Sequence, residues 1–215
     1  MYYFIANWKA NKNLSEALSW IDDFISNTED KTEAKFIISP PAPFLYPLKE
    51  KIKGRNNVYL AAQDISRFAG GSYTGEVTAK SIQSLVDFAI IGHSERRNLF
   101  QENYDALQKK TELAQKYNIE PIFCLRDEKD QIPATVKIVA YEPVYAIGSG
   151  NNEPLEQVIK QKAKIIGDKQ LTFLYGGSVN EKNSSTYLKS GQLDGFLVGN
   201  ASLNPSEFLN IVKSA

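Results

Sequence analysis

The sequence predicts an α/β fold in which eight parallel strands and their helices form a (β/α)8 barrel, on three observations. Short apolar runs recur along the whole chain, stretches of helical periodicity separate them, and the runs number eight. Strand then helix, repeated, is the signature of a parallel sheet with helical crossovers. A doubly wound open sheet gives the same alternation; the count of eight favours the closed barrel. The 215 residues suit a single domain spanning 1–215, since barrels commonly run to about 200–250 residues, and no linker or low-complexity stretch divides them.

Taken in order, the strands are expected at residues 3–6, 36–39, 58–62, 88–92, 122–125, 136–141, 172–175 and 195–198, each an apolar run bounded by turn or charged residues. The first connection carries the clearest helix. Leu14, Ala17, Leu18, Ile21, Phe24 and Ile25 fall at i, i+3, i+4, i+7, i+10 and i+11, and Asn13 with Glu16 forms a capping pair at its start. Further helices are expected at 43–53, 78–86, 104–118, 154–167, 181–190 and 205–213, several with Pro in the first turn, where its missing N–H does no harm. One connection is anomalous. Only residues 126–135 separate the fifth and sixth strands, whereas a parallel crossover normally needs a dozen or more residues. Ten residues at ~3.3 Å each still span the return along a strand of ~17 Å, so a short tether with little or no helix is expected, with a thinner patch on the outer layer.

Composition excludes several classes of function. The 25 basic and 25 acidic residues cancel and are interspersed, which leaves no field to collect nucleic acid or an anionic membrane surface. Cys124 is the single cysteine and His93 the single histidine, which rules out an internal disulfide and a His/Cys zinc cage but leaves an oxygen-ligated magnesium site open. No apolar run approaches the ~18 residues of a membrane span, and residues 1–6 lack a basic leader. A cytoplasmic protein with a small-molecule partner is expected.

Barrel active sites are built from loops at the carboxyl ends of the strands, so polar residues there carry most weight. Asn7 and Lys9 follow the first strand, alternating about Trp8. A solvated strand end is the plainer reading of that pair alone. His93 follows the fourth strand in Ile91-Gly92-His93-Ser94-Glu95-Arg96-Arg97. A helical turn opened by Ser94 and Glu95 would disfavour protonation of the imidazole and leave a neutral hydrogen-bond donor. Glu142 follows the sixth strand and opens the segment 143–150, with Pro143 at one end and Gly148 and Gly150 at the other. That is the composition of a stiff flap between hinges. A flap closing over Glu142 would exclude water and make the carboxylate a stronger base, as abstraction of a proton from carbon requires. Two glycine-rich segments, Tyr175-Gly176-Gly177-Ser178 and Val198-Gly199-Asn200, follow the last two strands. Singly each is an ordinary turn; as a pair they match the usual barrel phosphate site. No Gly-Lys-Ser/Thr loop and no helix-opening Gly-x-Gly-x-x-Gly is present, so no nucleotide cofactor is expected.

With these residues in place, the chain resembles the triosephosphate isomerase family along nearly its whole length. Asn7-Trp8-Lys9, Ala62-Gln63-Asp64, Tyr73-Thr74-Gly75-Glu76, Gly92-His93-Ser94-Glu95-Arg96-Arg97, Ala140-Tyr141-Glu142-Pro143-Val144, Ala146-Ile147-Gly148, Tyr175-Gly176-Gly177-Ser178 and Gly195-Phe196-Leu197-Val198-Gly199 stand in the family's order. The resemblance implies a cofactor-free interconversion of dihydroxyacetone phosphate and glyceraldehyde 3-phosphate, in glycolysis and gluconeogenesis, through an enediolate. It implies Glu142 as base, His93 as electrophile, and Lys9 and Asn7 as electrostatic and hydrogen-bonding partners, with Glu95 orienting the group. Phosphate contacts fall to Gly148, Ser178, Gly199 and Asn200. It also implies a homodimer through the loop 63–76, between Gln63 and Glu76, with Thr74 near its tip.

The chain departs from the family's pattern at several positions. Cys124-Leu125-Arg126-Asp127 stands where Cys-x-Gly-Glu is usual, and the helix after it is largely missing. Asn200 replaces a second glycine, at a position where tolerance of left-handed backbone matters. Tyr145 replaces a usual Trp of the lid, and Asp64 a usual Asn. Another phosphosugar enzyme on the same barrel, or a non-catalytic relative, are the alternative readings.

Overall fold

Strands β1 (Tyr2–Asn7), β2 (Ala34–Ser39), β3 (Val58–Ala62), β4 (Phe88–Ile91), β5 (Glu120–Leu125), β6 (Ile138–Tyr141), β7 (Thr172–Tyr175) and β8 (Gly195–Val198) pair in sequence order, all parallel, and β8 returns to β1. The sheet is therefore closed, which decides against the open doubly wound alternative. This computed structural model describes residues 1–29, 33–143, 145, 152–167 and 169–213.

Alternation along the strands sorts side chains into two cores. Ile5, Ile37, Ala61, Ile90, Ile122, Cys124, Ile138, Ala140, Leu174 and Leu197 pack together inside the barrel. Phe4, Ala6, Phe36, Ile38, Leu60, Phe123, Val139 and Phe173 belong to the second core, which they share with the helices. Burying one such aromatic or aliphatic side chain is worth about 1.5–3 kcal/mol. At the seam, Gly195 has φ +141°, and a Cβ there would lie 1.9 Å from the Tyr3 carbonyl oxygen, so only glycine lets β8 approach β1 this closely.

The helices are α1 (Leu14–Ser26), α2 (Leu45–Lys51), α3 (Ala79–Ile82), α4 (Ser94–Leu99), α5 (Tyr104–Lys116), α6 (Leu155–Ile166), α7 (Ser184–Lys189) and α8 (Pro205–Val212). The expected capping box of α1 is formed: the Asn13 side chain accepts from the Glu16 N–H at 3.0 Å, and the Glu16 carboxylate accepts from the Asn13 N–H at 2.7 Å. Its buried face is Ala17, Trp20, Ile21 and Phe24, while Leu14 is exposed. The arc thus lies further round the helix than the Leu14-based stripe implies. Trp20 anchors it, edge-on to Trp8 and stacked on Phe24, with its indole N–H donating to the Ser202 carbonyl at 3.0 Å.

Several expected helices are shorter than the periodicity suggested. The stretch 78–86 yields only α3, capped by the Thr78 hydroxyl, and 43–53 begins as a 3-10 turn, Ala42–Phe44, before α2. Between β5 and β6 the tether forms turns and no helix, as expected. It leans on α5 through two hydrogen bonds, Gln115 Nε2 donating to the Thr135 carbonyl and the Thr135 hydroxyl donating to Gln115 Oε1. A broad depression lined by Ile119, Ile132, Val136 and Leu171 opens beside it, where the outer layer thins.

Candidate active site

The alternation that buries Ile5 carries Asn7 to the barrel mouth and turns Trp8 outward into the helical layer, where it is fully buried. The next residue, Lys9, takes φ +52°. A left-handed backbone at a non-glycine residue is uncommon and costs of order 1–3 kcal/mol, so the surroundings must hold it. They do: its N–H donates to Asn7 Oδ1 at 3.1 Å, and its carbonyl accepts from Gln63 Nε2 at 2.8 Å. The same Gln63 amide donates to the Ser39 carbonyl at 2.9 Å, tying the ends of β1, β2 and β3 together. Lys9 Nζ meets Glu95 Oε1 at 2.5 Å across the mouth.

His93 caps α4 directly after β4. Its Nδ1 accepts from the Glu95 N–H at 3.2 Å, so the ring proton resides on Nε2. That nitrogen faces Glu142 Oε1 at 3.1 Å, and the other carboxylate oxygen, Oε2, accepts from the Ser94 N–H at 3.0 Å. Glu142 is 1% exposed and His93 6%. Glu142 is fixed from below as well, its N–H donating to the Leu125 carbonyl at 2.7 Å as the β5–β6 ladder ends. Cys124 lies beside it; burial and then the neighbouring carboxylate push its thiol well up.

A cavity of about 170 Å³ joins Asn7, Lys9, His93 and Glu142 to the two glycine segments, with Ser178, Gly199, Asn200 and Ala201 among its lining residues and Leu197 on its wall. Gly199 leads into a 3-10 turn, Asn200–Ser202, whose first N–H groups have no partner within the turn. The sequence-based concern over Asn200 is corrected here, because the residue is not among those with positive φ and needs no left-handed geometry. Lys12 supports this turn, its ammonium donating to the Leu203 carbonyl at 2.7 Å and sitting over the Trp8 ring. The roles of Gln63, Lys12 and Leu197 went unread in the sequence. The first two act on backbone carbonyls, which leave no sequence pattern, and Leu197 reads as an ordinary strand residue.

The structure thus brings together Asn7, Lys9, His93, Glu142, Ser178, Gly199 and Asn200, with Glu95 at the rim. Gly148 and most of the flap 143–150 lie outside the described residues; Pro143 is buried and Tyr145 is exposed. Desolvation and a hydrogen bond to Glu153 push the Tyr145 phenol up to about 12.

A buried carboxylate, an imidazole and an ammonium converging on a cavity with paired glycine loops suit proton transfer next to a carbonyl in a phosphorylated substrate. Comparison with known proteins agrees. The triosephosphate isomerase family model matches residues 2–215. Triosephosphate isomerases of Dictyoglomus thermophilum and Mesomycoplasma hyopneumoniae strain 7448 are each 35% identical, and that of Aquifex aeolicus is 32% identical, with 97% of both chains covered in each case. The alignments run longer than this chain, so the relatives carry residues that it lacks. The chain is a TIM barrel of the triosephosphate isomerase family, and its function is the reversible interconversion of dihydroxyacetone phosphate and D-glyceraldehyde 3-phosphate.

Proposed function

We propose that Glu142 is the base of this isomerisation and His93 its electrophile, and the observation that carries the assignment is the 3.1 Å contact between Glu142 Oε1 and His93 Nε2 inside the cavity. His93 Nε2 and Glu142 Oε1 satisfy each other's hydrogen bonding. Substrate takes the Nε2–H with its carbonyl oxygen and frees the carboxylate. Glu142 then removes a proton from the hydroxymethyl carbon, the electron pair moves to the carbonyl oxygen, and Nε2–H stabilises the enediolate. His93 Nε2 delivers its proton to that oxygen and recovers one from the neighbouring hydroxyl oxygen, and Glu142 returns its proton to the former carbonyl carbon, which yields the aldose. Lys9 offsets the developing negative charge, Asn7 holds the Lys9 turn, and Glu95 fixes the ammonium at the rim. Ser178, Gly199 and Asn200 receive the phosphate, with Gly148, which lies outside the described residues, as a further contact, and Leu197 keeps one wall apolar.

The chain also acts, in this proposal, as a single domain and a cytoplasmic homodimer. The barrel closes between its first and last strands, which supports one folding unit. No helix among the described residues is long and apolar enough to cross a membrane. For the dimer, the support is the largely exposed loop 63–76: Phe68 and Tyr73 stack at 3.7 Å with Arg67 over the Phe68 ring, and Tyr73 is exposed. A coupled assay of glyceraldehyde 3-phosphate isomerisation, run beside Glu142→Gln, tests the residue roles. A general base contributes about 10²–10⁴ in rate. A folded variant that kept its turnover would refute the assignment.

A further inference from the structure

The tether that replaces a crossover helix carries one carboxylate that faces inward. Asp130 is 8% exposed at its side chain, and it accepts from the Arg126 N–H at 2.8 Å, Nε at 3.0 Å and Nη2 at 2.7 Å. Its Oδ1 lies 3.6 Å from Nη1 of Arg97, which is itself only 6% exposed. Arg97 in turn donates from Nε to the Gly92 carbonyl and from Nη2 to the Cys124 carbonyl, both at 2.7 Å. Gly92 immediately precedes His93. Cys124 precedes Leu125, whose carbonyl accepts the Glu142 N–H. One guanidinium therefore pins the two strand ends that set the spacing of acid and base. Space there is already filled: a Cβ on Gly92, which has φ +75°, would lie 2.9 Å from the guanidinium.

A guanidinium this buried needs a partner charge. We infer that Asp130 acts through Arg97 as a positioning residue for the isomerisation, so that the shortened tether holds His93 and Glu142 in register as well as returning the chain to β6. This rests on the assignment of Glu142 as base. The titratable and charged groups around Arg97 are Asp130, Arg126, Cys124 and Glu142, and those around Glu142 are His93, Cys124 and Arg97, with the Lys9–Glu95 pair across the cavity. Burial acts to lower the affinity of Arg97 for its proton, and Asp130 is the leading charge that opposes this. Burial likewise opposes ionisation of Asp130, yet hydrogen bonds from Arg126 and the charge of Arg97 leave its carboxyl below the ordinary value.

Two variants test the inference, with glyceraldehyde 3-phosphate turnover followed across pH, thermal melts on the same samples, and Glu142→Gln alongside. Asp130→Asn keeps the shape but leaves the Arg97 charge uncompensated near Glu142. It is expected to lower kcat about tenfold with KM little changed, and to move the acid limb of the kcat profile down by about half a pH unit, because an unopposed cation favours the carboxylate. Arg97→Gln removes the cation and is expected to move the same limb up by about as much. The shifts are opposite, so either variant carries the test if the other fails to fold. An unmoved limb with turnover per folded molecule near wild type, and only a lowered melt, would make the tether merely structural and overturn the inference. Full turnover in Glu142→Gln would instead remove the assignment beneath it. Loss of turnover there with unmoved limbs elsewhere removes the inference alone.

Discussion

A methyl group placed on Gly176 should disable the site by displacing the stem of Glu142. Gly176 follows β7, and its N–H donates to the Tyr141 carbonyl at 2.7 Å. A Cβ built there would stand 2.9 Å from Glu142 Cγ and 3.3 Å from the Tyr141 carbonyl oxygen. Ordinary carbon–carbon contact is about 3.5–4.0 Å, so the stem of Glu142 must yield by roughly 0.6–1 Å. The backbone itself is no obstacle, since Gly176 is not among the glycines with positive φ. Displacement on this scale breaks the alignment of the carboxylate with its proton, and a misplacement of about 1 Å can cost about 10²-fold. Gly176→Ala is therefore expected to lower kcat by about 10- to 100-fold, about 1.4–2.7 kcal/mol of barrier. KM should change little, because the cavity wall that receives phosphate is not crowded. Overpacking adds about 1–3 kcal/mol of destabilisation, visible in a thermal melt and separable from kcat per folded molecule. A folded Gly176→Ala enzyme turning over within about twofold of wild type would show that Glu142 is not where the reaction needs it.

Other outcomes follow from the same geometry. Asp64 contacts Lys110 at 2.6 and 2.7 Å and Arg96 at 2.8 Å, yet burial outweighs these partners and pushes its carboxyl from 3.8 to about 6. The folded state then favours the protonated form, so its contribution is fully present below the ordinary value and is lost as pH rises through about 6. Across that window Asp64→Asn should gain on wild type by at most about 3 kcal/mol in denaturant melts, and parallel pH profiles would contradict this. Tyr73→Lys, which destroys the stacked tip of the loop 63–76, should shift sedimentation from dimer to monomer; an unchanged profile would relocate the interface. Asn13→Ala removes one half of the α1 capping box and should cost about 1 kcal/mol in a chemical melt, with kcat unaffected.

Much of this molecule was legible in the sequence, for identifiable reasons. Eight apolar runs in a chain of this length leave few topologies, and period-two alternation marked Asn7 and Lys9 as candidates for the mouth, although that pair alone read more plainly as a solvated strand end; Lys9 reaches the site through a left-handed turn that no alternation encodes. The tether was legible as arithmetic, since its residues were too few for a crossover helix but enough to span a strand. Element ends were less so: β1, β2 and β5 each begin earlier than their apolar runs because ladder bonds continue through polar residues such as Lys35 and Glu120. Trp20 escaped the α1 stripe because its partners, Trp8 and Ser202, come from distant parts of the chain. Asn200 misled in the other direction, since substitution for glycine suggested a strained backbone where a right-handed 3-10 turn stands. Arg97 with Asp130 was invisible for the deepest reason: their meaning lies in two backbone carbonyls and a buried charge, none of which leaves a motif.

The central claim is that Glu142 moves a proton through an enediolate, and isomerisation in deuterium oxide tests it most directly. A carboxylate that abstracts and returns a proton exchanges it with solvent in between. Product isolated from the wild-type reaction should therefore carry deuterium on the carbon next to the carbonyl, and Glu142→Gln should lose turnover and label incorporation together. Turnover and label incorporation undiminished by Glu142→Gln would contradict the account.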